Sequence, residues 1–132
     1  MTTTRLLMSA SALTLVLLGI PCVFVPEIVL ARLGATGTGA ELLVTQVTGA
    51  LYCGFAMINW MGRGSLIGGI YGRPVAMGNL LHFTAAGLAI AKAANTGLVP
   101  PWVWVVAAIY AIFLAGFAYV VFHNPVREPA SS

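Results

Sequence analysis

Residues 102–122 read W-V-W-V-V-A-A-I-Y-A-I-F-L-A-G-F-A-Y-V-V-F and contain no charged side chain. At a rise of 1.5 Å per residue, about 20 helical residues cross the roughly 30 Å hydrocarbon layer of a bilayer, so this run predicts a membrane-spanning helix. The rest of the chain is similar, because 60% of its 132 residues are hydrophobic and only 7% are charged. Charged residues make up about a quarter of a typical soluble domain. The composition therefore indicates an integral membrane protein.

Three more spans precede this run. Two of them are free of charge, and the third contains His82 in its interior and Lys92 near its far end, from which a long side chain reaches the headgroups. The four predicted spans are residues 6–25, 42–61, 74–94 and 102–122. The first also resembles a signal peptide because it follows Arg5, but the tract L-L-G-I-P before Cys22 lacks a cleavage pattern, so we interpret it as a retained span. The predicted fold is all-α, a single domain over residues 1–132 that forms an integral membrane four-helix bundle.

The basic residues predict how the chain is oriented. Four spans put both termini and the connection between spans two and three on one side. That side carries Arg5, Arg63, Arg73 and Arg127, and the other side carries Arg32 and Lys92. Basic residues are enriched on the cytoplasmic side of membrane proteins. We therefore expect cytoplasmic termini in a multi-pass protein of the bacterial inner (plasma) membrane.

The connection at residues 62–72, G-R-G-S-L-I-G-G-I-Y-G, is rich in glycine and apolar side chains. One interpretation is a bent or partly re-entrant segment that lies in the membrane interface. A flexible turn is the other, and the sequence leaves both open. The two connections on the opposite side, residues 26–40 and 94–101, are predicted to be loops because they end in small residues and in Pro-Pro, respectively.

Span two carries a polar stripe and a set of small residues. At 100° per residue its polar residues fall on one helix face, which either bonds to neighbouring backbones or forms a polar path. The stripe consists of Glu41, Thr45, Thr48, Tyr52 and Asn59. The same helix has small residues at four-residue spacing, which permits close helix approach. These predicted packing residues are Gly49 with Cys53 and Ala50 with Gly54.

A candidate binding site follows from the polar residues nearest the Gly-rich connection. Asn59 in span two and Asn79 and His82 in span three lie at similar depths, with Tyr52 further along span two. These four residues are the predicted contacts for an apolar ligand such as a quinone or a lipid. The alternative is that His82 is structural, a neutral imidazole bonded to a backbone carbonyl.

Signatures of catalysis and of metal binding are missing from the sequence. There is no C-x-x-C, H-E-x-x-H or G-x-S-x-G motif and no aspartate, so we predict neither catalytic residues nor a metal site, and the chain reads more as a non-enzyme. Cys22 and Cys53 are offset along their spans and are interpreted as small packing residues. The net charge of +3 comes from scattered residues, which argues against a nucleic-acid partner and favours anionic membrane lipids.

Several stretches resemble the DoxX-like group of small four-helix bacterial membrane proteins. They are F-V-P-E-I-V-L-A-R-L-G at 24–34, T-G-A-L-Y-C-G-F at 48–55, G-R-P at 72–74 and H-F at 82–83. The acidic-basic pair often found early in span two of that group is here Glu41 followed by Gln46. The resemblance implies the four-span architecture and an association with quinone-linked sulfur oxidation or redox-stress complexes.

Three functions remain open on the sequence. The leading hypothesis is a non-enzymatic packing module, either a homo-oligomer or an accessory subunit of a membrane complex. The second is a quinone or lipid binder at the site in spans two and three. A third is an oligomeric transporter or channel that uses the polar stripe of span two, since one four-span protomer is too small to enclose a pore.

Overall fold

The computed structural model describes residues 2–64 and 72–123, which form five helices and no strand. The helices are α1 (Thr2–Phe24), α2 (Pro26–Leu33), α3 (Gly39–Gly62), α4 (Gly72–Asn95) and α5 (Val103–His123). All but α2 are long and apolar enough to cross a membrane. The prediction of an all-α chain with four such helices is confirmed for this part of the molecule, and three of the four helices begin two to four residues before the predicted spans. Most of the Gly-rich connection, residues 65–71, lies outside the described residues, as does the tail after residue 123.

Helix α2 was not predicted, because residues 26–40 were interpreted as a loop. It has the ordinary signals of a short helix: Pro26 in the first turn, Glu27 beside it, and Arg32 in the last turn, where a cation complements the helix dipole. Gly34 ends the helix in the left-handed conformation, with φ of 80°. Eight residues are too few to show an apolar periodicity. From the sequence alone, this helix therefore cannot be distinguished from a loop.

Each of the four long helices contacts two others, so that the contacts run from α1 to α3, α4, α5 and back to α1. Helix α1 packs along α3 and α4 packs along α5, while α1 meets α5 and α3 meets α4 over smaller areas. All four contribute to one apolar core, which contains Met8, Leu15, Ala56, Phe83, Tyr110, Phe113 and Phe117. Phe83 is its centre, with its ring stacked on Phe113 and Phe117 and edge-on to Tyr110 at centroid distances of 5.0 to 5.7 Å. Aromatic pairs in such arrangements add to the stability that area burial alone provides.

Two glycines bring α1 and α3 into close contact. A Cβ atom on Gly49 would lie 2.7 Å from the carbonyl oxygen of Gly19, and a Cβ on Gly19 would lie 2.9 Å from the carbonyl oxygen of Gly49. These two oxygens belong to the backbone and cannot move aside, and the Cβ of Cys22 is as close to the Gly49 position, at 2.7 Å. The crossing is therefore of the small-residue type that membrane helices use to approach each other.

The two predicted small-residue pairs of α3 have different surroundings. Gly49 and Cys53 face α1, where the Cys53 sulfur would lie 2.9 Å from a Cβ on Gly19. Ala50 and Gly54 are exposed, and a Cβ on Gly54 would have no neighbouring atom within 4 Å. Only the first pair packs inside the protomer, so a role of the second pair in packing against another molecule stays a prediction.

Substituting these glycines by alanine should have opposite effects. Gly49→Ala should lower the free energy of unfolding by about 1 to 3 kcal/mol, because the added methyl overpacks a backbone contact. Gly54→Ala is the matched control, which should leave stability unchanged or raise it by about 0.5 to 1 kcal/mol through better helix propensity. Thermal unfolding of both variants in the same detergent measures the difference. Equal melting temperatures would mean that α1 and α3 do not cross at these glycines.

Candidate functional site

Three helix ends meet where the Gly-rich connection begins and ends. A Cβ atom on Gly62, at the end of α3, would lie 3.2 Å from the Met8 side chain of α1 and 3.9 Å from Val75 of α4. The end of α5 belongs to the same side, because a Cβ on Gly116 would touch the Leu7 side chain of α1 at 2.7 Å. We call this side of the molecule the basic end, because the ends of α1, α3 and α4 carry Arg5, Arg63 and Arg73.

One helical turn inside the basic end, three polar side chains form a closed hydrogen-bonded set. Asn59 donates through Nδ2 to Oδ1 of Asn79 at 2.7 Å and to Oγ of Ser11 at 3.0 Å. Asn79 donates in return to Oδ1 of Asn59 at 2.6 Å and to the carbonyl oxygen of Val75 at 2.9 Å. The Ser11 hydroxyl donates to the carbonyl oxygen of Met8. The set, which we call the amide triad (Ser11, Asn59 and Asn79), links α1, α3 and α4.

The amide triad has the properties of a structural element. All three side chains are 0% exposed, and every amide hydrogen of the two asparagines has an acceptor. Buried amides of this kind are costly when unpaired and stabilising when paired. A ligand that bonded to either asparagine would have to displace one of these existing bonds.

The sequence analysis brought Asn59 and Asn79 to one place, and the structure does so too. Ser11 was missed, although it is the third member of the set. Span one contains several small hydroxyl side chains, and Thr14 for example bonds to the carbonyl of Ala10 in its own helix. Nothing in the sequence shows that Ser11, rather than its neighbours, faces α3.

His82 lies one turn deeper along α4, apart from the amide triad. Its ring is half-buried and lies near aromatic rings of three helices. Phe55 stacks on it at 5.3 Å, Tyr52 lies edge-on at 5.5 Å, and the Tyr110 ring is tilted at 5.7 Å. The Nε2 atom is 3.5 Å from the Tyr110 hydroxyl, which is the outer limit of a hydrogen bond.

The cluster around His82 differs from the amide triad in its hydrogen bonding and its exposure. The His82–Tyr110 contact is long, and Tyr52 and His82 are both partly accessible. The polar atoms of this cluster are therefore less completely hydrogen-bonded than those of the amide triad. Of the four predicted ligand contacts, His82 and Tyr52 therefore lie together, and Asn59 and Asn79 lie together elsewhere.

The remaining members of the polar stripe have local partners. The Glu41 carboxylate accepts from the backbone N–H of Thr38 at 2.7 Å, and Thr38 in turn accepts from the N–H of Glu41, a capping box at the start of α3. Thr48 donates to the carbonyl oxygen of Val44 within its own helix. Both sets of bonds lie within α3 and its N-cap, so neither links the stripe to another helix, and its role in packing or in a polar path stays a prediction. Thr45 is half-buried on the same helix.

The two cysteines lie on α1 and α3. Cys22 and Cys53 are free thiols that line the α1–α3 crossing against Gly49 and Gly19, which is the packing role predicted for them. Within residues 2–64 and 72–123, no group of three His, Cys, Asp or Glu side chains is close enough to hold a metal ion.

A further contact at the basic end was not predicted from the sequence. The Arg63 guanidinium lies 3.4 Å from the centroid of the Trp60 ring, a cation–π geometry. Its Nη1 atom is buried and has no hydrogen-bond partner among the described residues. A tryptophan three positions before an arginine on a helix is a usable sequence signal for such a pair.

Known proteins offer no direct guide to this arrangement. The chain matches no family model, and it matches no curated protein and no solved structure at a significant level. The resemblance to the DoxX-like group therefore stays a prediction that rests on the residues quoted for it.

Proposed function

We propose that this protein is a non-enzymatic membrane module, a four-helix bundle with cytoplasmic termini that works as a homo-oligomer or as an accessory subunit of a bacterial inner-membrane complex. The observation that carries the proposal is the amide triad. The most buried polar groups of the spans bond to one another, which makes them a means of holding helices together rather than a reaction centre.

The outer surface of the helices supports the same function. Large apolar side chains cover it along the full length of the spans, and several are between 61% and 70% exposed. They include Leu17, Leu43, Leu51, Leu81, Leu88 and Ile112. Lipids and other membrane helices are what such exposed apolar helix faces contact in a bilayer.

A second function, binding of an apolar small molecule such as a quinone or a lipid, has support from the cluster around His82. The Nε2 atom of His82 is 3.5 Å from the Tyr110 hydroxyl, the limit of a hydrogen bond, so the half-buried imidazole retains capacity to bond to a carbonyl or hydroxyl group of a ligand. Phe55 and Tyr52 provide flat apolar walls on either side. In this alternative the amide triad is scaffold, and the ligand contacts are His82 and Tyr52.

The proposed orientation predicts which parts of the chain are accessible from outside the cell. In a background with both native cysteines replaced by alanine, Thr36→Cys in the connection before α3 should react with an impermeant thiol reagent added outside intact cells. A reporter fused after residue 132 should be active only in the cytoplasm. If Thr36→Cys reacted only after lysis and the fused reporter were active outside the cytoplasm, the orientation would be the opposite of the one proposed.

Assembly through the exposed small residues of α3 can be tested by substitution. The double substitution Ala50→Leu and Gly54→Leu should reduce association, because two bulky side chains prevent close approach of a partner helix. It should leave the melting temperature of the dissociated protomer unchanged, since Gly54 has no neighbour within 4 Å.

The matched control for the α3 variant is the double substitution Ala111→Leu and Ala115→Leu, which adds two leucines at the same four-residue spacing to the exposed face of α5. Light scattering in mild detergent and the profile of co-purifying membrane proteins measure association. If the α3 variant retains the wild-type mass and the wild-type partners, this face is not where the module assembles.

The small-molecule alternative is tested by His82→Phe, which retains an aromatic ring and removes both nitrogens. It should eliminate a co-purifying molecule, detected by solvent extraction and mass spectrometry, with little change in melting temperature. Asn59→Ala is the contrast, because it removes the partner of the Asn79 amide oxygen and of one Asn79 amide hydrogen, and it should cost about 1 to 3 kcal/mol of stability without changing the extracted molecules. A destabilised His82→Phe with an unchanged extract would make His82 structural.

A further inference from the structure

The basic end has positive charge and, among the described residues, no carboxylate to balance it. Arg5, Arg63 and Arg73 belong to helix ends that meet around Gly62. The two glutamates within the described ranges, Glu27 and Glu41, are both at the opposite end, in the first turns of α2 and α3. The positive charge of the three arginines therefore has to be balanced by something outside this part of the chain.

Arg63 differs from the other two arginines in its surroundings. Arg5 and Arg73 are exposed, whereas Arg63 is partly buried and held against the face of Trp60 at 3.4 Å. Its buried Nη1 has no acceptor within the described residues. A buried guanidinium N–H without an acceptor is unfavourable, so this position favours a ligand that brings oxygen atoms.

The amide triad gives this position a rigid foundation. Asn59 lies four residues before Arg63 on α3, and it is bonded to both α1 and α4. The same bonds fix Ser11 and Asn79, one to two turns from Arg5 and Arg73 on their helices. The three arginine-bearing helix ends are thus held in fixed register, which is what a specific binding site needs.

We propose that the basic end binds the phosphate group of an anionic phospholipid, with Arg63 as the principal contact and Arg5 and Arg73 as supporting charges. A guanidinium that is stacked on an aromatic ring presents its fork of N–H donors in a fixed plane, and phosphate oxygens match that geometry. Trp60, which is 52% exposed, places the pair at the depth of headgroups, where tryptophan is enriched in membrane proteins. The site depends on membrane location alone and is independent of the proposed assembly role.

Lipid titration of the full-length protein in mild detergent tests the proposal. Native mass spectrometry should show that phosphatidylglycerol binds in preference to phosphatidylcholine. Arg63→Gln should weaken phosphatidylglycerol binding by roughly tenfold, the effect of losing one charge-assisted interaction. Arg63→Lys retains the charge but loses the planar fork, and it should bind nearly as weakly as Arg63→Gln. Arg32→Gln, at the opposite end, is the matched control and should bind like wild type.

A second titration, with inorganic phosphate, separates the two sources of the same group. If millimolar phosphate raises the melting temperature of the wild type but not of Arg63→Gln, and lipid adds nothing further, the site recognises phosphate without lipid tails. If only phosphatidylglycerol has this effect, the headgroup of a lipid is the ligand. Both results support a phosphate site at Arg63.

Three results would overturn it. Unchanged phosphatidylglycerol affinity in both Arg63 variants would remove Arg63 as a contact, and equal losses in the Arg63 variants and Arg32→Gln would indicate general surface charge. Glu128, in the tail outside the described residues, provides the third comparison. If Glu128→Gln and Arg63→Gln lower the lipid-free melting temperature equally and neither changes lipid affinity, Arg63 pairs with its own chain instead.

Discussion

An amide buried in the interior of a protein must find a hydrogen-bond partner there, and this requirement fixes how the helices of this molecule meet. Asn59 and Asn79 exchange two hydrogen bonds across the seam between α3 and α4, and Ser11 ties α1 to the same point. The seam is otherwise a narrow contact, whereas α1–α3 and α4–α5 pack along much of their length. All three side chains are fully buried, so a rotation of either helix would leave polar groups without a partner. The triad therefore sets the register of helices that apolar packing alone would leave free to slide.

The two halves of the molecule use different physical means of cohesion. Helices α1 and α3 approach through Gly19 and Gly49 until backbone oxygens prevent any side chain from entering. Helices α4 and α5 are joined by rings, with Phe83 between Phe113, Phe117 and Tyr110. In a bilayer no hydrophobic effect drives helices together, so close backbone contact and interlocking aromatic surfaces take that role. His82 lies where the aromatic half meets α3, which explains why its environment is aromatic although it is a polar residue.

The sequence predicted the properties that depend on one helix at a time. Span positions follow from apolar length, and the common location of Asn59 and Asn79 follows from helix periodicity and depth. What it could not predict depends on how two helices are rotated about each other. Gly49 and Gly54 each have a small residue four positions away in α3. Only the rotation of α3 about its own axis decides that Gly49, and not Gly54, faces α1. Ser11 and the separation of His82 from the amides depend on the same unknown rotation, and α2 was too short to show any periodicity.

The distribution of charge along the molecule has an electrical consequence. Among the described residues, the basic end carries three arginines without a carboxylate, and at the opposite end Arg32 and Lys92 are balanced by Glu27 and Glu41. In the proposed orientation the unbalanced arginines face the negative interior of an energised cell. Transfer of one charge across the membrane potential is worth about 2.3 kcal/mol per 100 mV. The membrane potential that the cell maintains would thus oppose inversion of this protein at all times. This effect adds to the bias imposed when the chain is first inserted.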